Sequence, residues 1–460
     1  MIQREHDGVR WELQPDFGPL LDELLKSPGE TVKESPVKRV TRHHLGGKTF
    51  YIKRYFHQAV PLRPLKFFFK ATQARQEWEL AQQLEERHIP IVRHIALGER
   101  RTWSGTQESI LITEGFDGVP LSSAMNVDLS AVLTFVSRMH ELGVLQGDLH
   151  PGNLLARPEP FELRLVDLDG TRVFANLSVK QRSQNLALLR VFLPVPVSRE
   201  IDEQSRQLRK QLLQERSRRC LRNNREFTAQ RHGGLNWQVR LPFVNDAVGK
   251  VLNGPDSFME TRAQILKPGR TSTVGKADSL VLKRFNFRKV ENLVKDLFRS
   301  SRARRAFRAA YHLELAGLPT ARCIAVANQR TGSFLLRSYL LMEEIAGAID
   351  LGTYLRTNHE PTLTLARQTG RLIARLHDEG FSHRDLKETN LVIGADGILY
   401  LLDLDGLTFL HEVSDGRCAL DLVRLANGIE KYPGVKARHR IAFLLSYCRA
   451  RQMKHVPRSH

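Results

Sequence analysis

The sequence predicts an α+β chain made of two tandem copies of one domain, each with a β-rich N-lobe followed by a helical C-lobe. The first observation is a repeat: Leu65–Arg75 recurs as Val294–Arg304, and Ser109–Glu114 recurs as Ser338–Glu343, at a common offset of 229 (294 − 65 and 338 − 109). The second is the order of patterns within each copy, in which alternating, β-branched stretches precede long helical ones. Two copies of one fold therefore fill most of the chain.

The predicted elements follow the same order in both copies. In the first copy, alternation from Val37 to Tyr55 predicts strands, and the polar–apolar period from Lys70 to Arg87 predicts a helix. A further strand ends at Glu114, and a second helix is predicted from Ala131 to Leu142, before a loop and a hairpin. Corresponding patterns between Gln264 and Glu379 predict the same series in the second copy.

The length and composition suit two folded domains. The 460 residues allow roughly two to four domains, and we place two of them at 1–220 and 221–460. An apolar fraction of 41% with 26% charged residues excludes a disordered chain, collagen and a pure coiled coil. Four scattered cysteines without a CxxC pair predict neither a disulfide framework nor a zinc site. Because the chain has neither a long apolar run nor a signal-peptide pattern, we expect a cytoplasmic protein.

The charge balance predicts an anionic partner. The chain carries 70 lysines and arginines against 50 acidic residues, a net charge of +20, which suits nucleic acid, phosphorylated metabolites or an acidic lipid surface. Basic and apolar residues stand side by side in Arg63–Lys70 and in Phe285–Arg308, as in segments that bind membrane surfaces. Packing of these aromatic residues in the N-lobe core is an equally good interpretation. Nucleic acid is not expected, because no motif of a nucleic-acid reader accompanies the charge.

Two pairs of polar motifs recur in the C-lobes. In the second copy, His383–Asn390 precedes Leu402–Gly406, which reads Leu-Asp-Leu-Asp-Gly; in the first, Gln146–Asn153 precedes Val166–Gly170, which reads Val-Asp-Leu-Asp-Gly. The aspartate and asparagine of the first motif are five residues apart in both copies (153 − 148 and 390 − 385). The next aspartate follows 19 or 18 residues after the first one (167 − 148 and 403 − 385).

Phosphoryl transfer explains why these residue types recur together. A carboxylate orients the attacking hydroxyl, an amide and a second carboxylate hold Mg²⁺ against the phosphates of ATP, and a strand lysine braced by a helix glutamate neutralises those phosphates. The predicted site residues are Asp148 and Asp385 as catalytic residues, Asn153, Asp167, Asn390 and Asp403 as metal ligands, and Lys53, Glu77, Glu114, Lys283 and Glu343 as ATP-binding residues.

The motifs together resemble those of the protein-kinase-like superfamily and, within it, the lipopolysaccharide core kinases of the Kdo/WaaP family. The similar features are Lys-Arg-Tyr or Lys-Arg-Phe after the strand lysine, the basic stretch Lys-Phe-Phe-Phe-Lys, and Asp-Leu-Asp-Gly in place of Asp-Phe-Gly. The resemblance implies tandem protein-kinase-like domains that use ATP and Mg²⁺. It further implies a lipopolysaccharide core sugar, heptose or Kdo, as acceptor, and a cytoplasmic enzyme peripheral to the anionic inner membrane.

Two departures from the family pattern concern the individual copies. Ala306 stands where the first copy has Glu77, so the brace of Lys283 is absent or comes from elsewhere. Asn185 stands where the second copy has Asp421, a residue that supports the catalytic loop in the superfamily.

Two alternative functions remain open for the chain. One is a protein Ser/Thr kinase, indicated by the His-Arg-Asp-Leu-Lys motif, and the other is a nucleotide-binding scaffold with one or both copies inactive. The sequence predicts no oligomeric state.

Overall fold

A computed structural model describes residues 1–60, 63–125, 127–157, 159, 161–269, 271–286, 300–331, 334–357 and 361–452. The chain divides into two compact units, Met1–Leu208 and Arg209–His460, here called the first and second unit. The division lies within one helix, Arg199–Arg218. Most of the predicted basic stretch Phe285–Arg308 lies outside the described residues, because 287–299 are among those omitted.

The N-lobe of the first unit is a seven-stranded sheet. Its strands are β1 (Ile2–His6), β2 (Val9–Leu13), β3 (Glu30–Ser35), β4 (Lys38–Leu45), β5 (Lys48–Phe56), β6 (His94–Thr102) and β7 (Gly105–Glu114). Their order across the sheet is β1-β2-β6-β7-β5-β4-β3, and each neighbouring pair is antiparallel. Strands β1 and β2 go beyond the predicted elements, although Val9, Trp11 and Leu13 alternate as buried residues on one face of β2.

Helices and short strands complete the first unit. The strands are β8 (Val119–Pro120), β9 (Val144–Gln146), β10 (Leu154–Arg157), β11 (Glu162–Leu165) and β12 (Thr171–Val173), which form a three-stranded sheet β11-β10-β8 and a pair β12-β9. The helices are α1 (Leu21–Lys26), α2 (Arg63–Phe69), α3 (Gln73–Glu86), α4 (Leu129–Glu141), α5 (Val179–Phe192) and α6 (Arg199–Arg218).

The second unit repeats this plan. Its strands are β13 (Phe227–His232), β14 (Leu235–Arg240), β15 (Gln264–Lys267), β16 (Ser272–Ala277), β17 (Leu280–Phe285), β18 (Cys323–Thr331), β19 (Phe334–Glu343), β20 (Ile349–Asp350), β21 (Phe381–His383), β22 (Leu391–Ile393), β23 (Leu399–Leu401) and β24 (Leu407–Phe409). The large sheet has the order β13-β14-β18-β19-β17-β16-β15, which is the order of the first sheet. This identity confirms the predicted tandem repeat of a β-rich lobe.

Two helices of the second unit, Arg302–Leu315 and Leu363–Asp378, correspond to the predicted ones. The helices of this unit are α7 (Asp246–Asn253), α8 (Arg302–Leu315), α9 (Leu351–Thr357), α10 (Leu363–Asp378), α11 (Asp415–Ile429) and α12 (Ala437–Gln452), with short turns at Pro255–Ser257 and Phe258–Arg262. Helix α10 buries Leu372, Ile373 and Leu376 in the core of the C-lobe. In the part of the chain that the structure describes, no helix is long and apolar enough to cross a membrane.

Helices α3 and α8 are built alike, and they carry the difference that matters most for the site. Each begins at a hydroxyl cap: the side chain of Thr72 accepts a bond from the backbone of Arg75, and that of Ser301 from the backbone of Arg304. Each buries one face with helical periodicity. The matching buried residues are Ala74, Glu77, Trp78, Ala81 and Leu84 in α3, and Ala303, Ala306, Phe307, Ala310 and Leu313 in α8. One core-facing position is therefore a carboxylate in the first unit and a methyl group in the second.

Candidate active site

The loop that follows β9 in the first unit brings three predicted site residues together. The amide of Asn153 donates to the backbone carbonyl of Asp148 over 3.0 Å and lies 3.4 Å from its carboxylate. The amide of Gln146, a buried residue at the end of β9, donates to the carbonyl of Asp167 over 3.0 Å and accepts from the backbone N–H of Asp148 over 3.2 Å. These bonds fix the loop and leave the carboxylate of Asp148 exposed in a cleft that Asn153 and Asp167 also line.

The second unit builds the same loop with a histidine. His383 Nε2 donates to the carbonyl of Asp403 over 3.2 Å, while Nδ1 accepts from the backbone N–H of Asp385 over 3.2 Å. Burial lowers the pKa of His383, so the neutral ring carries one donor and one acceptor. The amide of Asn390 donates to the carbonyl of Asp385 over 2.8 Å. Gln146 of the first unit thus makes the two bonds that His383 makes here, because a primary amide also offers both N–H donors and an acceptor oxygen. The carboxylate of Asp385 pairs with Lys387 at 2.7 Å.

The second aspartate of each copy adopts the same unusual backbone conformation. Asp167 has φ of 56° and Asp403 has φ of 58°, both in the left-handed region that non-glycine residues rarely adopt. Such a conformation costs on the order of 1 kcal/mol or more and persists where the surrounding structure holds it. The carbonyl of each residue receives the bond from the catalytic loop described above, which holds it there. Sequence spacing alone carries no signal of this conformation.

A buried helix residue supports each loop, with opposite hydrogen-bond polarity in the two units. Asp421 is fully buried and accepts from the backbone N–H of His383 over 2.9 Å. Asn185 donates to the backbone carbonyl of Gln146 over 2.7 Å and lies 2.9 Å from His140 Nε2, which donates to its amide oxygen. The substitution of asparagine for aspartate therefore preserves a link between helix and loop by exchanging the acceptor for a donor.

Two histidines in this support are absent from the predicted site. His140 on α4 and His377 on α10 correspond at the offset of 237 (377 − 140) that relates the catalytic motifs. His377 Nε2 lies 3.4 Å from Asp421, and both side chains are fully buried. Burial by itself would raise the pKa of Asp421, but the nearby His377 and the hydrogen bonds from the loop outweigh it and lower the pKa. The signal in the sequence is the repeated histidine at the end of the same helix.

The strand lysine of the first unit is held by the helix glutamate, as predicted. Lys53 Nζ lies 2.6 Å from Glu77 Oε1, and the two side chains are 15% and 7% exposed. Burial by itself would raise the pKa of Glu77, but the Lys53 ammonium and a contact from His94 at 3.5 Å outweigh it and lower the pKa to about 2. Burial alone would lower the pKa of Lys53, and Glu77 with Asp167 reverses that effect, so the pKa is raised. The ammonium of Lys53 therefore stays charged near Asp167, which lines the cleft.

The corresponding lysine of the second unit has a different partner. With Ala306 in place of the glutamate, Lys283 forms an ion pair with the carboxylate of Asp403. Burial alone would raise the pKa of Asp403, and Lys283 outweighs that effect and lowers it. A second ion pair, 2.6 Å long, joins Arg302 at the start of α8 to Asp405. Helix α8 is thus tied to the Asp-Leu-Asp-Gly segment itself rather than to the strand lysine.

The two predicted glutamates at the ends of β7 and β19 have different surroundings. Glu343 lines a cavity of about 420 Å³ together with Lys283, Asn390 and Asp403. Glu114 lies 2.7 Å from Lys48 and 3.4 Å from Arg93. Burial by itself would raise the pKa of Glu114, but these two cations outweigh it and lower the pKa. The assignment of both glutamates to ATP binding stays a prediction.

The donor set in each cleft fits Mg²⁺ bound together with phosphates. In the ranges that the structure covers, no group of three or more His, Cys, Asp and Glu side chains forms a metal cage. Mg²⁺ does not require one, since it keeps several waters and binds through one or two carboxylates plus the phosphates of a nucleotide. Asp167 with Asn153, and Asp403 with Asn390, supply such hard oxygen ligands in the two clefts.

Comparison with known proteins agrees with this arrangement. The family described as "Lipopolysaccharide kinase (Kdo/WaaP) family" matches residues 22–213 and 267–408. The chain belongs to this family. The two matched segments, one in each repeat, confirm the tandem kinase-like fold. They contain every predicted site residue of the first copy and every one of the second.

Individual relatives of this Kdo/WaaP family chain are named 3-deoxy-D-manno-octulosonic acid kinase. The one from Vibrio vulnificus (strain YJ016) is 39% identical over 145 residues, which are 30% of this chain and 59% of the relative. The one from Xylella fastidiosa (strain 9a5c) is 34% identical over 99 residues, 22% of this chain and 39% of the relative. The chain thus spans less than two thirds of these relatives. A solved structure, "WaaP in complex with acyl carrier protein", is similar at 20% identity with a TM-score of 0.32, covering 44% of this chain and 89% of that one.

Proposed function

We propose that the chain transfers the γ-phosphoryl group of ATP to a hydroxyl of a heptose or Kdo sugar in the lipopolysaccharide inner core, at the cytoplasmic face of the inner membrane. The observation that carries the proposal is the double occurrence of one constellation. In each unit an aspartate, an asparagine five residues later and a left-handed aspartate meet near a strand lysine. The names of the relatives support the choice of sugar.

The residues of the first unit take the following roles in this proposal. The exposed carboxylate of Asp148 accepts a hydrogen bond from the sugar hydroxyl and orients its oxygen towards the phosphorus. Asn153 holds the loop through its bond to the Asp148 carbonyl. Asn153 and Asp167 also hold Mg²⁺, which when bound neutralises charge on the phosphates. Lys53, kept charged by Glu77, binds the phosphate oxygens from the other side of the cleft.

The second unit differs in what must happen before ATP binds. Lys283 is paired with Asp403, which is the proposed metal ligand. Both groups must exchange this contact for phosphate and Mg²⁺. We therefore propose that the second unit also binds Mg-ATP, but more weakly than the first, whose Lys53 is already paired with Glu77. The same ion pair favours a second candidate role for this unit, a nucleotide-binding scaffold that regulates its neighbour.

Transfer of labelled γ-phosphate to purified, dephosphorylated core oligosaccharide tests the proposal. Asp148→Asn and Asp385→Asn are measured singly and as a double variant. The control is a separate variant, Asp246→Asn, which removes an exposed carboxylate from helix α7. We expect the double variant to lose at least about a hundredfold in rate, and Asp148→Asn to lose more than Asp385→Asn. The Asp246→Asn control should keep the wild-type rate. Phosphate incorporation only into a generic protein substrate, or full activity of the double variant, would overturn the proposal.

A further inference from the structure

One end of the first unit presents large apolar side chains to solvent. Trp103, in the turn between β6 and β7, is 92% exposed, and Phe69, the last residue of α2, is also 92% exposed. Leu65, one helical turn before Phe69, is 48% exposed. The other three tryptophans of the chain are each at most 2% exposed. An exposed tryptophan is therefore exceptional in this protein.

These side chains belong to one surface, because helix α2 packs directly on the β6–β7 hairpin. Gly105, next to the turn, has φ of 111°, and a Cβ atom there would lie 2.2 Å from the backbone oxygen of Pro64. Phe67 is buried against the ring of His57, with ring centroids 4.3 Å apart, and His57 Nε2 lies 2.9 Å from Ser109 Oγ on β7. The inward contacts of Phe67 fix the helix.

Helix α2 therefore agrees in part with each of the two interpretations of the basic, aromatic segment Arg63–Lys70, which are core packing and surface binding. Phe67 is a core residue, as the packing interpretation requires, and Leu65 and Phe69 point away from it, as the surface interpretation requires. Residues i and i+4 of a helix share a face, and the helix that carries these two packs next to the turn that carries Trp103. We call the three side chains Leu65, Phe69 and Trp103 the apolar tip.

Cations lie close to the apolar tip. Arg63, Lys66 and Lys70 lie on or next to α2, and residues 61–71 include no acid. Arg100 and Arg101, at the end of β6, are paired with Glu108 and Glu99, so the cations of α2 carry the positive charge of this surface. Lys66 and Lys70 are exposed. A protein partner would need a matching pocket with acidic residues around it, whereas an anionic bilayer offers both an apolar interior and negative headgroups to any such tip.

We propose that the apolar tip inserts into the headgroup region of an anionic membrane while Arg63, Lys66 and Lys70 bind lipid phosphates. Tryptophan is enriched at the membrane–water interface, and apolar side chains flanked by Lys and Arg are typical of proteins that lie on anionic bilayers. The inference rests on the proposed function, which places the sugar acceptor on a membrane-anchored glycolipid. It adds the surface of the first unit that meets the bilayer.

The fluorescence of Trp103 gives a direct test on the full chain. Because the other tryptophans are buried, vesicles that insert the tip should shift the emission to shorter wavelength, and brominated lipids should quench it. We expect this with vesicles of phosphatidylcholine and phosphatidylglycerol, much less with phosphatidylcholine alone, and less as salt rises, since salt screens the attraction between charges. Trp103→Phe should abolish the shift while retaining vesicle binding in sedimentation.

Matched variants separate the tip from general adhesion. Phe69→Ser should weaken vesicle binding about tenfold, because the variant lacks the large apolar side chain whose transfer from water into the bilayer favours binding. Val179→Ser removes a side chain that is 81% exposed at the start of α5 and should leave binding unchanged. Binding without a change in Trp103 emission, equal binding to neutral vesicles, or a dimer in solution that Phe69→Ser dissociates would each overturn the inference.

Kinase assays distinguish this inference from the proposed function. With soluble core oligosaccharide, Phe69→Ser should transfer phosphate at the wild-type rate, because Leu65, Phe69 and Trp103 are not among the residues that line the cleft of Asp148. With lipopolysaccharide precursor in anionic vesicles, it should be about tenfold slower, in line with its weaker binding. If the wild type transfers phosphate to neither acceptor, the proposed function is contradicted. The vesicle-binding and fluorescence results then still test membrane insertion of the apolar tip. Equal rates of variant and wild type on vesicles would contradict the tip alone.

Discussion

Replacing Glu77 with glutamine tests the ion pair that distinguishes the first unit from the second. Glutamine keeps the size of the side chain and removes its charge, so Lys53, whose side chain is 15% exposed, remains buried beside a neutral amide. The pKa of Glu77 is lowered from its ordinary value of 4.5 to about 2. At about 1.36 kcal/mol for each pH unit, the ionised carboxylate contributes about 3 kcal/mol to the free energy of unfolding at neutral pH. Loss of one partner of a buried pair typically costs about 3–5 kcal/mol.

The contribution of Glu77 depends on pH in a defined direction. A carboxylate whose pKa is lower in the folded state stabilises fully above its unfolded pKa and loses the effect as the pH falls through the folded pKa. The difference between wild type and Glu77→Gln should therefore be constant near neutral pH. It should shrink below about pH 4.5 and vanish near about pH 2. A purely steric effect of the substitution would not follow this profile.

Denaturant unfolding followed by tryptophan fluorescence measures the difference. In a Trp237→Phe background the remaining tryptophans all belong to the first unit, so the signal reports that unit. Glu79→Gln is the matched control: it lies on the same helix, is 53% exposed and sits 4.0 Å from Arg75, and should change stability by less than about 0.5 kcal/mol. Glu77→Gln should also raise the KM for ATP at least about tenfold in an Asp385→Asn chain. Unchanged stability together with an unchanged KM would refute the reasoning.

Three further predictions concern other contacts in the two units. In a chain whose first unit is inactivated, Arg302→Gln should raise the KM for ATP about tenfold, because α8 loses its charged link to the Asp-Leu-Asp-Gly segment. The control, Arg304→Gln at an exposed position of the same helix, should leave the KM unchanged. Equal effects of the two variants would show that only net charge matters. Asn185→Asp should lower the free energy of unfolding by about 2 kcal/mol at neutral pH, since the backbone carbonyl of Gln146 loses its donor. The loss should be smaller in acid, where protonation of the introduced carboxylate restores an O–H donor. A loss that does not change with pH would contradict this. Gly143→Ala should lower the free energy of unfolding by more than about 2 kcal/mol, because at φ of 73° its Cβ would lie 2.0 Å from a backbone oxygen. Gly47→Ala, at φ of 75° with nothing within 4 Å of the added Cβ, should lower it by about 1 kcal/mol. Denaturation midpoints check the last two predictions, and similar losses at both glycines would exclude the steric argument.

The sequence by itself determines the architecture and the chemical types at the site. Equivalent residues recur at fixed offsets, and the periods of two and 3.6 residues place strands and helices to within a few residues, as for the predicted helix Lys70–Arg87 and the observed α3 at Gln73–Glu86. The sequence did not predict the hairpin of β1 and β2, because β1 exposes residues on both faces and therefore shows no apolar–polar alternation. The family resemblance followed from short motifs, since catalytic loops keep their residue spacing.

Only the tertiary structure decides which partners those residues take. Lys53 and Lys283 have the same sequence setting, yet one pairs with a helix glutamate and the other with the proposed metal ligand. Likewise, Gln146 replaces a histidine without loss of either hydrogen bond, and Phe67 is buried while Phe69 is exposed. The physical reason is that a charged or polar group near the cleft is satisfied by whatever the packing of distant segments brings within about 3 Å, and local sequence does not specify that distance.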